Sequence, residues 1–73
     1  MYTIVGIEKK EGVYEGKSYA NTILHVTYTK ENADGLCVTT LKVKSALCPI
    51  VEIGDVVSVL YDRYGNIAQV SVL

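Results

Sequence analysis

The combination of tyrosine and lysine in this sequence is suited to binding a ligand. An aromatic ring stacks on a flat group, while an ammonium group binds an anion. All six aromatic residues are tyrosines, with no Phe and no Trp. Two of them, Tyr14 and Tyr19, flank a Gly16–Lys17 pair. Proteins hold single-stranded nucleic acid with such rings and cations. The segment predicts a stacking platform on an exposed arm, although tyrosines on a hairpin also form ordinary cross-strand pairs.

Further cationic residues add candidate phosphate contacts. Lys42 and Lys44 lie two residues apart in a segment of strand character, so they point to the same side. Arg63 and Tyr64 lie in a predicted turn, where a guanidinium group can contact phosphates and aromatic rings. A solvated strand face and a plain type I turn explain the same residues without a ligand. The candidate nucleic-acid-binding residues are Tyr14, Gly16, Lys17, Tyr19, Lys42, Lys44, Arg63 and Tyr64.

No combination of residues in the sequence is typical of an enzyme. His25 is the single histidine, and no Ser, Cys or carboxylate completes a catalytic motif with it. Cys37 and Cys48 form no CxxC pair and have no metal-ligand spacing. We therefore expect no catalysis, no cofactor and no metal site. The cysteines are expected to act as small apolar residues in a reducing compartment, with a disulfide as the less favoured alternative.

Length and charge set further expectations. A chain of 73 residues is one domain near the lower size limit for independent folding, which favours a homodimer. The net charge of −1 lacks the basic excess of a dedicated duplex binder, so any binding surface must be a local basic face. No signal peptide or membrane span is recognisable, and the sequence predicts a cytoplasmic location. The expected basic face comprises Lys9, Lys10, Lys17, Lys42, Lys44 and Arg63, with Glu31, Asp34, Glu52 and Asp55 in loops elsewhere.

Hydrophobic alternation predicts an all-β domain that spans residues 1–73. Five short strands without a long helix predict a small barrel. The long second strand and the extended first hairpin favour a five-stranded barrel of OB type, with an SH3-like barrel as the alternative. We expect closure of the sheet to remove its edges. Alternation directs Tyr28 and Tyr61 into the core. The predicted strands are 2–8, 19–29, 36–44, 56–61 and 67–72, with a polar turn at 9–12, a hairpin extension at 13–17 and an irregular segment at 45–54.

The segment Val13-Tyr14-Glu15-Gly16-Lys17-Ser18-Tyr19 resembles the DNA-binding wing of gene V type single-stranded DNA-binding proteins of filamentous phages. In that family a Gly-Lys-x-Tyr segment ends a long hairpin, and its tyrosine stacks on bases. The stretch from Gly54 to Ile67 is similar to the family's last hairpin. The resemblance implies an OB-type fold, cooperative binding, a symmetric homodimer and a phage or mobile-element origin. It assigns DNA contacts to Gly16, Lys17 and Tyr19, with Arg63 and Tyr64 as weaker analogues.

The sequence therefore predicts a non-catalytic protein that binds single-stranded nucleic acid, in the first place DNA, with little dependence on sequence. A protein-interaction module, such as a phage or mobile-element adaptor or inhibitor, is the alternative. The near-zero net charge and apolar residues expected at the surface, Ile23 and Ile67, favour that alternative. Its tyrosine content would suit it equally well, because tyrosine is enriched at protein interfaces.

Overall fold

The computed structural model describes residues 1–73 and confirms the all-β class. Its only helical segment is a 3-10 turn over Ser45–Leu47, so no helix has the length and apolarity needed to cross a membrane. The five strands are β1 (Tyr2–Tyr14), β2 (Lys17–Tyr28), β3 (Cys37–Lys44), β4 (Val56–Tyr61) and β5 (Ile67–Val72).

The strands form one antiparallel sheet in the order β3-β2-β1-β4-β5. This is the order of an OB-type barrel opened between β3 and β5. In an SH3-like barrel β3 would instead continue the meander by pairing with β4. The expectation of a closed sheet is wrong, because β3 and β5 approach within 8 Å between Cα atoms but form no hydrogen-bonded pair. Both strands therefore keep a free edge, and an open groove separates them.

A small apolar core holds the curled sheet together. Along β2 and β3 the buried side chains alternate with exposed or half-buried ones, as the sequence predicts for a sheet with one face against the core. Burial of these aliphatic side chains is the main favourable term in folding, at about 25 cal/mol per Å² of apolar surface. The seven buried apolar residues are Ile4, Leu24, Val26, Leu41, Val43, Val57 and Val70.

The first hairpin is longer than the sequence indicates. The segment 9–12 is strand rather than turn, and β1 pairs with β2 along the hairpin as far as Tyr14 and Lys17. The connection is the two-residue turn Glu15–Gly16, with φ of 51° and 77°. Positive φ at both positions defines a type I′ turn, whose twist matches that of the flanking strands. Gly16 adopts this conformation without strain, whereas Glu15 is an uncommon residue there.

The tyrosines predicted for the core divide into two cases. Tyr28 is half-buried and packs edge-on against Tyr2, with ring centroids 5.8 Å apart. The prediction for Tyr61 is wrong, because its side chain is 52% exposed at the edge of the open groove. Two effects raise the pKa of Tyr61. Desolvation of its hydroxyl is the larger, and the interaction with the Tyr2 hydroxyl is the smaller.

We expect Leu24→Ala to lower the free energy of unfolding by about 2–5 kcal/mol, because it removes a fully buried side chain from a small core. Leu36→Ala makes the same chemical change at an exposed position outside the strands and should cost at most about 0.5 kcal/mol. Urea unfolding followed by circular dichroism measures both values. Similar losses for the two variants would contradict the assignment of the core.

Candidate nucleic-acid interface

The β1–β2 hairpin projects beyond the core as an arm, defined here as residues 10–21. Every side chain in the arm is exposed, apart from the half-buried positions Gly12 and Asn21. The projection accounts for the elongated shape of the molecule, which measures 45 × 27 × 20 Å. Few buried contacts hold the arm, so its shape depends on the hydrogen bonds and cross-strand pairs between its two strands.

Strand register brings the aromatic and basic residues of the arm to one face. Tyr14 pairs with Lys17, and Gly12 pairs with Tyr19 two residues further down each strand. Residues directly opposite each other in an antiparallel pair share a face, as do residues two apart in one strand. Tyr14, Lys17 and Tyr19 therefore lie on the same side of the arm, together with Lys10 one further pair along.

The same face continues across β2 onto β3. Asn21 pairs with Lys44 and Ile23 pairs with Lys42, so both lysines lie on the side occupied by Tyr19. We call this surface the outer face. It is defined by the exposed or half-buried side chains Glu8, Lys10, Tyr14, Lys17, Tyr19, Asn21, Ile23, His25, Thr40, Lys42 and Lys44.

The outer face is locally basic although the whole chain is not. Glu8 is its one acidic residue, and its carboxylate bonds His25 at 3.1 Å and approaches the Lys10 ammonium at 3.9 Å. Lys17, Lys42 and Lys44 make no ion pair within the protein and remain available to an anion.

The expected grouping of Lys9 with these cations is wrong. Lys9 pairs with the buried Thr22 and therefore lies on the opposite side of the sheet from Lys10.

Tyr19 lies directly over Gly12 in its cross-strand pair. A Cβ atom built at Gly12 would stand 2.7 Å from the Tyr19 hydroxyl oxygen and 2.8 Å from Cζ, closer than atoms approach without a shift. Gly12 has no positive φ, so its effect here is steric: a larger residue would displace the far end of the Tyr19 side chain from this position. The ring remains 46% exposed, so the cross-strand contact leaves part of it open to solvent. Tyr14, at 71% exposure, is more open still.

The β4–β5 loop is ordered by one carboxylate. Asp62 Oδ1 accepts hydrogen bonds from the backbone N–H groups of Tyr64, at 2.8 Å, and Asn66, at 3.0 Å. The Arg63 guanidinium group lies 5.1 Å from the centroid of the Tyr64 ring, within the range of a cation–π contact. Arg63 and Tyr64 thus form a stacked pair on the exposed side of the loop. Asp62, Gly65 and Asn66 instead line the groove that faces Lys42 and Lys44.

The remaining titratable residues form no catalytic arrangement. Cys37 and Cys48 are free thiols. Partial burial raises the pKa of the Cys48 thiol, while a hydrogen bond from Thr22 and the charge of Lys9 offset part of that rise. A raised pKa lowers the thiolate fraction and so the reactivity at neutral pH. No group of three or more His, Cys, Asp or Glu residues could hold a metal ion.

Comparison with known proteins gives no match for this chain among family models, curated proteins or solved structures. Its geometry brings together on the outer face five of the eight residues that the sequence singles out, namely Tyr14, Lys17, Tyr19, Lys42 and Lys44. Gly16 shapes the turn at the end of the arm, and Arg63 and Tyr64 lie on the separate β4–β5 loop. Sequence reasoning missed Asn21 as a link between the arm and β3, because the signal for it is the strand register.

The contact between Tyr19 and Gly12 predicts a spectroscopic signature. A ring over a glycine shifts its Hα resonances to high field, so we expect displaced Gly12 Hα signals that move to ordinary positions in Tyr19→Leu. Tyr14→Leu, which changes the neighbouring exposed ring, should leave them in place. Two-dimensional NMR spectra of the three proteins provide the measurement. Ordinary Gly12 shifts in the unsubstituted protein, or a displacement that persists in Tyr19→Leu, would contradict the ring position.

Proposed function

We propose that this protein binds single-stranded nucleic acid, in the first place DNA, along the outer face. The observation that carries the proposal is the shared register of Tyr14, Lys17 and Tyr19 with Lys42 and Lys44. Aromatic rings next to unpaired cations match the two chemical features of a single strand, which are its bases and its phosphates. The OB-type order of strands adds support by analogy, since such folds bind oligonucleotides on the β2–β3 face and the adjoining loops.

The two kinds of side chain would have different tasks. The exposed parts of the Tyr14 and Tyr19 rings would stack on bases, at about 1–3 kcal/mol for each stacked base. Stacking tolerates any sequence because every base has a π-face. Lys17, Lys42 and Lys44 would neutralise phosphates. Their ammonium groups form no salt bridge within the protein, so binding of a phosphate breaks no ion pair.

The β4–β5 loop would supply a second contact. Arg63 already stacks on Tyr64, and the 74% exposure of Tyr64 leaves its ring accessible to a base. The Asp62 hydrogen bonds order this loop before any ligand arrives, which lowers the entropic cost of binding. Gly16 contributes indirectly, because the tight turn it permits fixes Lys17 opposite Tyr14.

The overall charge of −1 is compatible with this proposal because charge is unevenly distributed. Glu31 and Asp34 lie between β2 and β3, while Glu52 and Asp55 lie before β4, all outside the outer face.

The proposal includes a non-catalytic role and a homodimer. The small core and the free edges of β3 and β5 support association with a second copy.

A protein-interaction module is the second candidate function. The free edge of β3 favours it, because an unpaired strand offers backbone groups to a partner chain. Exposed apolar side chains such as Val38 and Leu60 favour it as well. A gel shift with labelled oligo-dT at low and moderate salt separates the candidates. The first predicts a complex that weakens with salt, and the second predicts no shift even at low salt.

We expect Tyr19→Ala to weaken binding to oligo-dT by about 5- to 140-fold, which corresponds to about 1–3 kcal/mol of lost stacking. Val13→Ala is the control, since Val13 is also exposed, at 72%, but lies on the opposite side of the arm. Fluorescence anisotropy gives the affinities, and circular dichroism verifies that both variants remain folded. An unchanged affinity in Tyr19→Ala would remove the arm from the binding site.

Substituting one lysine of the outer face should reduce the salt dependence of binding. For single strands the plot of log K against log salt has a negative slope, which becomes less steep by about 0.7 for each phosphate contact removed. We expect this change in Lys44→Gln and no comparable change in Lys9→Gln, because Lys9 lies on the other side of the sheet. Anisotropy titrations at several salt concentrations measure the slopes. Equal slopes for Lys44→Gln and the unsubstituted protein would show that Lys44 contacts no phosphate.

A further inference from the structure

The open side of the barrel forms a groove between β3 and the β4–β5 hairpin. Its volume is about 780 Å³, within the usual range of about 300–1,000 Å³ for small-molecule sites. Thr40, Lys42 and Lys44 line one wall, and Asn66 and Ile67 line the other. Asn21, which stands between Tyr19 and Ile23 on the outer face, also borders the groove. The groove therefore adjoins the surface proposed to bind nucleic acid.

The spacing of the two walls limits what can enter. Paired strands lie about 4.8 Å apart, so two strands that flank an inserted third lie about 9.6 Å apart. At their closest, β3 and β5 are within 8 Å between Cα atoms. An added peptide strand would have to force the walls apart at that point. A flat group that enters edge-on, beside the point where β3 and β5 come closest, does not require the walls to separate.

The side chains of the groove supply three kinds of contact. Leu41, Leu47 and Ile67 give it apolar surface. The amide groups of Asn21 and Asn66 offer both donors and acceptors, and neither side chain makes a hydrogen bond within the protein. The ammonium groups of Lys42 and Lys44 add positive charge on the β3 side. The Asp62 carboxylate lines the β4–β5 side, where its Oδ1 accepts hydrogen bonds from two backbone N–H groups.

We propose that this groove binds one unstacked base of the nucleic-acid strand, with the adjoining phosphate on Lys42 or Lys44. The inference rests on the proposed function and adds a separate subsite to it. A nucleotide has a counterpart for each of these contacts. The flat face of its base packs on the apolar side chains, the polar edge of the base bonds to the amides, and its negative phosphate lies near the lysines. The outer face would hold the strand by stacking and charge, while the Asn66 amide reads the edge of the base in the groove. Binding would thereby gain a modest preference among bases.

NMR titration of ¹⁵N- and methyl-labelled protein with a short oligo-dT tests this proposal. The side-chain amide signals of Asn21 and Asn66 and the methyl signals of Ile67 should shift together with those of the arm. A matched oligonucleotide with abasic sugars carries the same phosphates without bases. It should shift signals near Lys42 and Lys44 but leave the Asn66 amide unchanged.

The outcomes separate this inference from the proposed function. Shifts confined to the arm and the outer face would overturn the groove subsite and leave single-strand binding intact. Equal shifts of Asn66 with the abasic strand would mean that the groove holds backbone alone, which also overturns the proposal. An acidic peptide that shifts the groove when oligo-dT does not would assign it to a protein partner. No shift at any position would refute the proposed function itself.

The substitution Asn66→Ala provides a second test. The Asn66 side chain makes no hydrogen bond within the protein, and the Asn66 backbone bonds to Asp62 do not depend on that side chain. We expect oligo-dT affinity to fall by about 2- to 12-fold, as for one lost hydrogen bond. The salt slope should stay unchanged because no cation is removed. Unchanged affinity, or a changed slope, would contradict base recognition in the groove.

Discussion

The continuous antiparallel pairing of β1 with β2 and of β2 with β3 is the interaction on which the rest of the structure depends. Side chains alternate between the two sides of a strand, so a slip of one residue would move every side chain of that strand to the other side. In the observed register Leu24 and Leu41 lie together in the core, while Ile23 and Lys42 lie together outside. The same pairing that buries the core therefore aligns the rings and cations of the outer face.

Two local features hold this register along the arm, where little burial assists. The Glu15–Gly16 turn fixes the distal end, because a two-residue type I′ loop allows one pairing of its flanking strands. Further along the arm Tyr19 lies over Gly12 and gives the arm a side-chain contact of its own. The register shift between Ile4 and Gly6, which marks a bulge at Val5, lies outside the arm and nearer the core. The arm is ordered by local geometry rather than by a core.

The sequence predicts parts of this fold well and others poorly, for physical reasons. The bounds of β4 and β5 agree with the structure because both strands alternate clearly and the Asp62–Asn66 segment has strong turn residues. The first hairpin is longer than the sequence predicts because neither side of the arm is buried, so residues 9–12 have the polar composition of a turn. Alternation along β4 directs Tyr61 into the core, but the pairing with β5 shifts register between Leu60 and Tyr61, and the Tyr61 ring lies exposed at the edge of the open groove. Residue type points to the candidate residues, but whether they share a face depends on the strand register, which composition does not reveal.

The most direct test of the central claim is to locate a bound strand on the protein. Oligo-dT that carries 5-iodouracil, irradiated in complex with the protein, forms covalent bonds to the side chains that stack on its bases, and mass spectrometry identifies them. The account predicts crosslinks at Tyr19 and Tyr14 on the outer face, with Tyr64 as a further site. Crosslinks confined to other surfaces, or none under conditions where a complex forms, would contradict it.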